Sequence, residues 1–112
     1  GEVVGLVNRI PQKGNYLANI HQGAECEPAE LSMRERLILK EIKPLLLRQE
    51  LFLVGIDFID GFITEINITS PSAVRQINQV MAEKIQVKIV DAMIERLEQV
   101  HNKKGSLFYH CC

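Results

Sequence analysis

Tryptophan is absent from this chain of 112 residues, and other aromatics are sparse: two Tyr and four Phe. So few flat rings make no platform for stacking successive bases. An excess of one charge is missing too. Thirteen Lys and Arg stand against fourteen Asp and Glu, for a net charge of −1. No long-range pull toward nucleic acid or an anionic membrane follows from that balance. No apolar run reaches the roughly 20 residues of a membrane-spanning helix, and no signal-peptide pattern is visible. Cysteine occurs at Cys26, Cys111 and Cys112 alone. An odd count with two adjacent residues is no disulfide framework, and points to a reducing, cytoplasmic setting. Cys111-Cys112 reads as part of an exposed tail rather than as a redox or metal pair. An initiator methionine is also lacking. The opening Gly1-Glu2-Val3-Val4-Gly5-Leu6-Val7 resembles the second arm of a hairpin without its first. The expectation is a fragment, truncated on its N-terminal side.

What is present is apolar material, 46% of the residues, enough for one domain at most. The most informative stretch is Asp57-Phe58-Ile59-Asp60-Gly61-Phe62-Ile63-Thr64-Glu65-Ile66-Asn67. Asp-Gly between apolar runs is a strong hairpin signal. A three-residue loop, Ile59-Asp60-Gly61, would set Phe58 against Phe62 and Asp57 against Ile63. Ile63, Glu65 and Asn67 then share one face, and Asp57 joins them from the partner strand. Two carboxylates and an amide oxygen on one face suit Mg²⁺ or Mn²⁺. A tight two-residue turn would instead put Asp57 and Glu65 on opposite faces, so the metal reading predicts the loop type. The plainer alternative is the wet face of an antiparallel sheet. Against it stands the apolar flank of Leu51 to Ile56, Phe58, Ile59, Phe62, Ile63, Ile66 and Ile68, where unpaired carboxylates would be costly.

Elsewhere, Val3 to Ile10 reads as a strand carrying Arg9. Pro11 to Glu30 is loop-rich, punctuated by Pro11, Gly14, Asn15, Asn19, Gly23 and Pro28. Ser32-Met33-Arg34-Glu35 has the form of a capping box. The helix it opens continues through Leu37, Ile38, Glu41, Leu45 and Leu46, with Pro44 expected to kink it or mark its last turns. Ser72 is placed to cap a short helix over Ala73 to Gln79. A longer one runs from Glu83 or Lys84 to Val100, with Ile85, Ile89, Met93 and Leu97 on one side. Residues 101–112 read as a loose tail. Helices interspersed with an antiparallel pair predict an α+β fold, an antiparallel sheet with helices on one face. The carboxylate face is the open one, and a second lobe is expected to close over it.

Several motifs in order carry a resemblance. Asn8-Arg9-Ile10-Pro11-Gln12, the loop from Asn19 to Gly23, the helix with Pro44, Val54-Gly55-Ile56-Asp57, Thr64-Glu65-Ile66-Asn67 and Thr69-Ser70-Pro71 resemble the C-terminal half of the ATP-grasp domain of bacterial glutathione synthetases. The resemblance covers about residues 1–100. Thr69-Ser70-Pro71 after the Glu-x-Asn set separates it from D-alanine–D-alanine ligases and ribosomal-protein glutamate ligases. The resemblance implies one lobe of an ATP-grasp fold and an ATP-dependent carboxylate–amine ligase. Such an enzyme joins γ-glutamylcysteine to glycine through an acyl phosphate and releases ADP and phosphate. It implies Mg²⁺ or Mn²⁺ on Asp57, Glu65 and Asn67, with Glu65 bridging two ions. Arg9 would meet the phosphates and the acyl phosphate, although a lone strand arginine is ordinarily just exposed. Asn19 and Ser70 would bind phosphate or substrate, and each also suits a plain turn. Ile63 would lie under adenine or belong to the core; His21 is incidental. Family members are commonly homo-oligomers.

The chain departs from the family loop at Leu17 and Ala18, where an arginine and a glycine are usual. An arginine lost from an anion-binding loop puts the acyl substrate in question. The family's glycine-rich phosphate loop and ATP-contacting lysines are not in these residues, so the chain by itself is expected to catalyse nothing.

Overall fold

The computed structural model describes residues 2–10 and 25–104, with side chains through residue 101. Asn19, Leu17, Ala18, His21 and the Cys111-Cys112 pair lie outside the described residues. Strand β1 (Asn8–Ile10) pairs antiparallel with β2 (Glu25–Glu27) in the register Asn8↔Glu27, Arg9↔Cys26, Ile10↔Glu25. The expected strand from Val3 is thus confined to its last residues. β2 falls in a stretch read as loop. Its Glu-Cys-Glu carries no β-branched or aromatic side chain, so the sequence gives no strand signal. Backbone pairing with β1 makes it a strand, and Asn8 Nδ2 adds a bond to Glu27 Oε1 at 2.7 Å.

Helix α1 (Met33–Arg48) starts where the capping box places it. Ser32 Oγ accepts from the Glu35 N–H at 3.1 Å, and Glu35 Oε2 accepts from the Ser32 N–H at 2.9 Å. Two otherwise unpartnered donors are satisfied at once. Pro44 lies inside, and the helix continues past it by a full turn to Arg48. The half-buried stripe is Ile38, Leu39, Ile42 and Leu46, whereas Leu37 and Leu45 face outward. At the end, Glu50 takes a left-handed φ of 56°, its N–H bonds the Leu47 carbonyl, and the Leu51 N–H bonds that of Leu46. These are the bonds of a Schellman stop, with glutamate where glycine is usual.

Strands β3 (Gly55–Ile59) and β4 (Phe62–Asn67) form the hairpin. Its turn is the tight one: Ile59 pairs with Phe62, and Asp60 and Gly61 both have positive φ, 51° and 77°. That double left-handed conformation is what Asp-Gly favours, because its twist matches the strands. The expected three-residue loop is therefore corrected. A β-bulge then restores what the tight turn alone would have taken away. Phe58 pairs with Ile63, but Asp57 pairs with Glu65, leaving Thr64 without a partner. One extra residue on β4 shifts the alternation by one. Asp57 and Glu65 end up directly opposite each other. The tight turn pairs Ile63 with Phe58, on the face opposite Asp57, so the expectation that Ile63 shares the carboxylate face is overturned by the turn.

Helix α2 (Val74–Met81) is preceded by Ala73 at φ 70° with no side-chain cap, so Ser72 is not the cap residue. Helix α3 (Ile85–Lys104) runs four residues beyond Val100, taking in part of the stretch read as tail. Asn78 joins the two helices: its Oδ1 accepts from the Ile85 N–H at 2.8 Å and its Nδ2 donates to Gln86 at 2.6 Å.

The architecture is α+β, and the described residues form two separate two-stranded antiparallel sheets in place of the single expected one. Among the described residues one hydrophobic side chain is buried, Ile85 at 2% exposure. The apolar faces converge instead on a hollow of about 430 Å³, walled by Val4, Leu39, Leu46, Leu53, Phe58 and Ile89 among others. It lies on the Phe58 side of the hairpin, away from the carboxylates. No described helix is long and apolar enough to cross a membrane.

Candidate metal and phosphate site

The open face of the hairpin is built by strand alternation. Gly55, Asp57, Glu65 and Asn67 share it through the pairs Gly55↔Asn67 and Asp57↔Glu65. Ile56 and Phe58 turn the other way, toward the hollow. Directly opposed residues lie close enough for their side chains to interact, and like charges placed so repel. A cation between or beside the two carboxylates would relieve that repulsion.

One cation is already there. Arg9 reaches across from β1, and its Nη2 donates to Asp57 Oδ2 at 2.7 Å, with both side chains about a third exposed, 34% and 40%. The bond ties the two sheets together and places a guanidinium beside the paired carboxylates. Thr64, the bulge residue, donates its hydroxyl to the Asp57 carbonyl at 3.3 Å.

Asn67 does a different job. Its Oδ1 accepts from the N–H groups of Thr69 and Ser70, at 3.2 and 3.0 Å, and its Nδ2 donates to the Ser70 carbonyl. Both lone pairs of the amide oxygen are engaged in holding the turn. The backbone N–H of Ser70 is taken up the same way. Among the described residues no group of three or more His, Cys, Asp and Glu comes together. The donor set is thus two carboxylates beside an amide that shapes the neighbouring turn.

That set fits a hard divalent cation. Mg²⁺ is usually held by one or two carboxylates, with waters and substrate phosphates completing its shell. Asp57 and Glu65 would hold it, and the Arg9 guanidinium beside Asp57 is a cationic fork of the kind that binds phosphate.

Sequence reading missed Arg34. Its Nε donates to the Gly61 carbonyl at 3.0 Å and its guanidinium lies 4.3 Å over the Phe62 ring. Helix α1 thereby grips the hairpin turn. Arg34 lies inside the capping box, but at a position that the motif leaves open, so nothing in the sequence marks it. The bulge at Thr64 was equally silent, since no residue type signals it.

Comparison with known proteins meets this geometry from the other side. Residues 1–82 match the family model of the prokaryotic glutathione synthetase ATP-grasp domain. Curated relatives agree. The chain is 43% identical over 97 residues to the glutathione synthetase of Prochlorococcus marinus strain MIT 9313, covering 87% of this chain and 30% of that protein. It is 41% identical over 93 residues to that of Rhodopseudomonas palustris, covering 83% of this chain and 30% of that protein. With the Agrobacterium fabrum enzyme the identity is 38% over 93 residues, again 83% of this chain and 29% of the relative. The chain thus spans about 30% of the length of the curated relatives it matches. A hairpin with opposed carboxylates, an arginine beside them and a match over most of the chain lead to one assignment: the chain belongs to the prokaryotic glutathione synthetase ATP-grasp family.

Proposed function

We propose that this chain supplies the metal- and phosphate-binding part of a glutathione synthetase, a cytoplasmic ligase joining γ-glutamylcysteine to glycine at the expense of ATP. The observation that carries the reading is the direct opposition of Asp57 and Glu65, with Arg9 bonded to the former. ATP and the transferring phosphoryl group are densely negative, and a divalent ion neutralises charge as it develops between them. The protein is left to position and to stabilise.

In this reading Asp57 and Glu65 hold Mg²⁺ or Mn²⁺. Arg9 binds phosphate oxygens bidentately and steadies the acyl phosphate formed when the substrate carboxylate attacks. Asn67 serves as a ligand once its oxygen is released from the turn, and otherwise acts by holding Thr69 and Ser70. Ser70 and Asn19 are assigned to substrate binding by the family motif alone. These 112 residues do not act alone. The further length carried by the relatives provides the remaining lobe and the substrate domain, and the active form is a homo-oligomer.

Glu65→Gln tests the assignment, since it removes one charge and keeps the shape. In the intact protein, ADP release that requires Mg²⁺, γ-glutamylcysteine and glycine is expected to fall by about 10³-fold, with the melting temperature kept. Retained turnover would exclude the metal role of Glu65. A second reading rests on Leu17 and Ala18, which replace the family's usual loop arginine and glycine. In it the acyl donor is another carboxylate. A panel of acyl donors decides between the two, because only one of them will support glycine-dependent ADP release.

A further inference from the structure

We propose that Arg9 and the bound cation compete for the Asp57 carboxylate, so that Arg9 makes cation binding depend on phosphate. The proposal rests on the reading of Asp57 and Glu65 as metal ligands and adds a binding order to it.

The geometry is specific. Arg9 Nη2 lies 2.7 Å from Asp57 Oδ2. Of the two ion pairs among the described residues, this one joins the two sheets; the other, Lys88 to Glu83, is local to the start of α3. Arg9 therefore does not belong to the hairpin it neutralises. It is brought there by β1, where its ladder partner is Cys26.

A cation arriving alone meets a carboxylate whose charge is already matched. It must displace the guanidinium or sit beside a like charge, and either weakens binding. An anion changes the balance. Guanidinium carries five N–H donors in a planar fork that fits phosphate as well as carboxylate. Phosphate on the ion gives Arg9 a second acceptor, and Asp57 is then free for the cation. Binding of the two ligands becomes mutually favourable, and the linkage runs equally in both directions. Partly exposed pairs of this type correspond to about two- to five-fold in affinity. The device thus favours entry of metal and phosphate together over metal alone.

The experiment is a Mn²⁺ titration of the intact protein, followed by the electron paramagnetic resonance of free Mn²⁺, with and without inorganic phosphate. Arg9→Met is expected to tighten binding of Mn²⁺ alone by about two- to five-fold and to abolish the tightening that phosphate produces in the wild type. A merely structural role for Arg9 would only weaken binding, so the sign discriminates. The same substitution in an Asp57→Asn background is expected to change nothing, because the effect runs through that carboxylate. Arg9→Lys, which keeps the charge and loses the fork, guards against a folding defect and should keep Mn²⁺ alone weak while losing most of the phosphate effect. Unchanged or weaker Mn²⁺ binding in Arg9→Met would overturn the proposal. So would tightening that persists with Asp57→Asn. Mn²⁺ binding indifferent to Glu65→Gln and Asp57→Asn would instead remove the metal reading beneath it.

Discussion

Arg34 shows how much of the site depends on residues that never touch it. Its side chain bonds the Gly61 carbonyl and covers the Phe62 ring, so the hairpin turn is fastened to α1. An alanine there leaves the Asp-Gly turn intact, because that conformation is local to Asp60 and Gly61. It removes one exposed hydrogen bond and one cation–π contact, together about 1 kcal/mol. Amide hydrogen exchange at Gly61 and Phe62 should accelerate in Arg34→Ala, with little change in β3 itself. Unchanged exchange would mean that the turn needs no support from the helix. Asn67 is a similar case. Expected as a ligand, it is also the residue that shapes Thr69 and Ser70, through three hydrogen bonds. A side chain with one acceptor atom and two possible duties cannot be assigned from its spacing.

Among the elements, those announced by a local chemical signal were legible in advance. Ser32 and Glu35 named the start of α1, and Asp60-Gly61 named the hairpin. What escaped depended on partners distant in sequence or on counting errors of one residue. β2 exists only because β1 lies beside it, and Glu25-Cys26-Glu27 has no strand propensity to show. The turn was expected one residue too long and the bulge at Thr64 was not foreseen. The two slips cancel at Glu65, which was expected on the face of Asp57 and is found there, directly opposite it, but not at Ile63, which changes face. A slip of one residue flips every side chain beyond it, so a second slip restores the faces. The end of α1 offers a further test at this scale. Glu50 holds a left-handed φ of 56° in a stop that glycine normally fills. Glu50→Gly should stabilise the intact protein by about 0.5–1 kcal/mol, read from denaturant unfolding. A loss of stability would mean that the glutamate side chain contributes more than its backbone strain takes away.

The described residues have little interior. One hydrophobic residue among them is buried, while Leu37, Leu47, Val87, Val90, Ile94 and Leu97 are each half exposed or more. Small domains depend on burial to offset chain entropy. A 430 Å³ apolar hollow beside the hairpin is space that would otherwise be filled with side chains. The 112 residues in isolation are accordingly expected to unfold without a cooperative transition and to bind a hydrophobic dye. A sharp melt would show that the chain closes its own core. Function follows the same logic: the described residues leave the carboxylate face open, and an ion held there by Asp57 and Glu65 would need further ligands such as phosphate or water.

The central claim is that a divalent cation sits on the open face of the β3–β4 hairpin. Paramagnetic broadening of backbone amide signals by substoichiometric Mn²⁺, measured on the intact protein, tests it most directly. Residues 56–58 and 64–66 should lose intensity first, and Glu65→Gln should abolish the effect there. Broadening centred elsewhere, or unchanged by Glu65→Gln, would contradict the assignment.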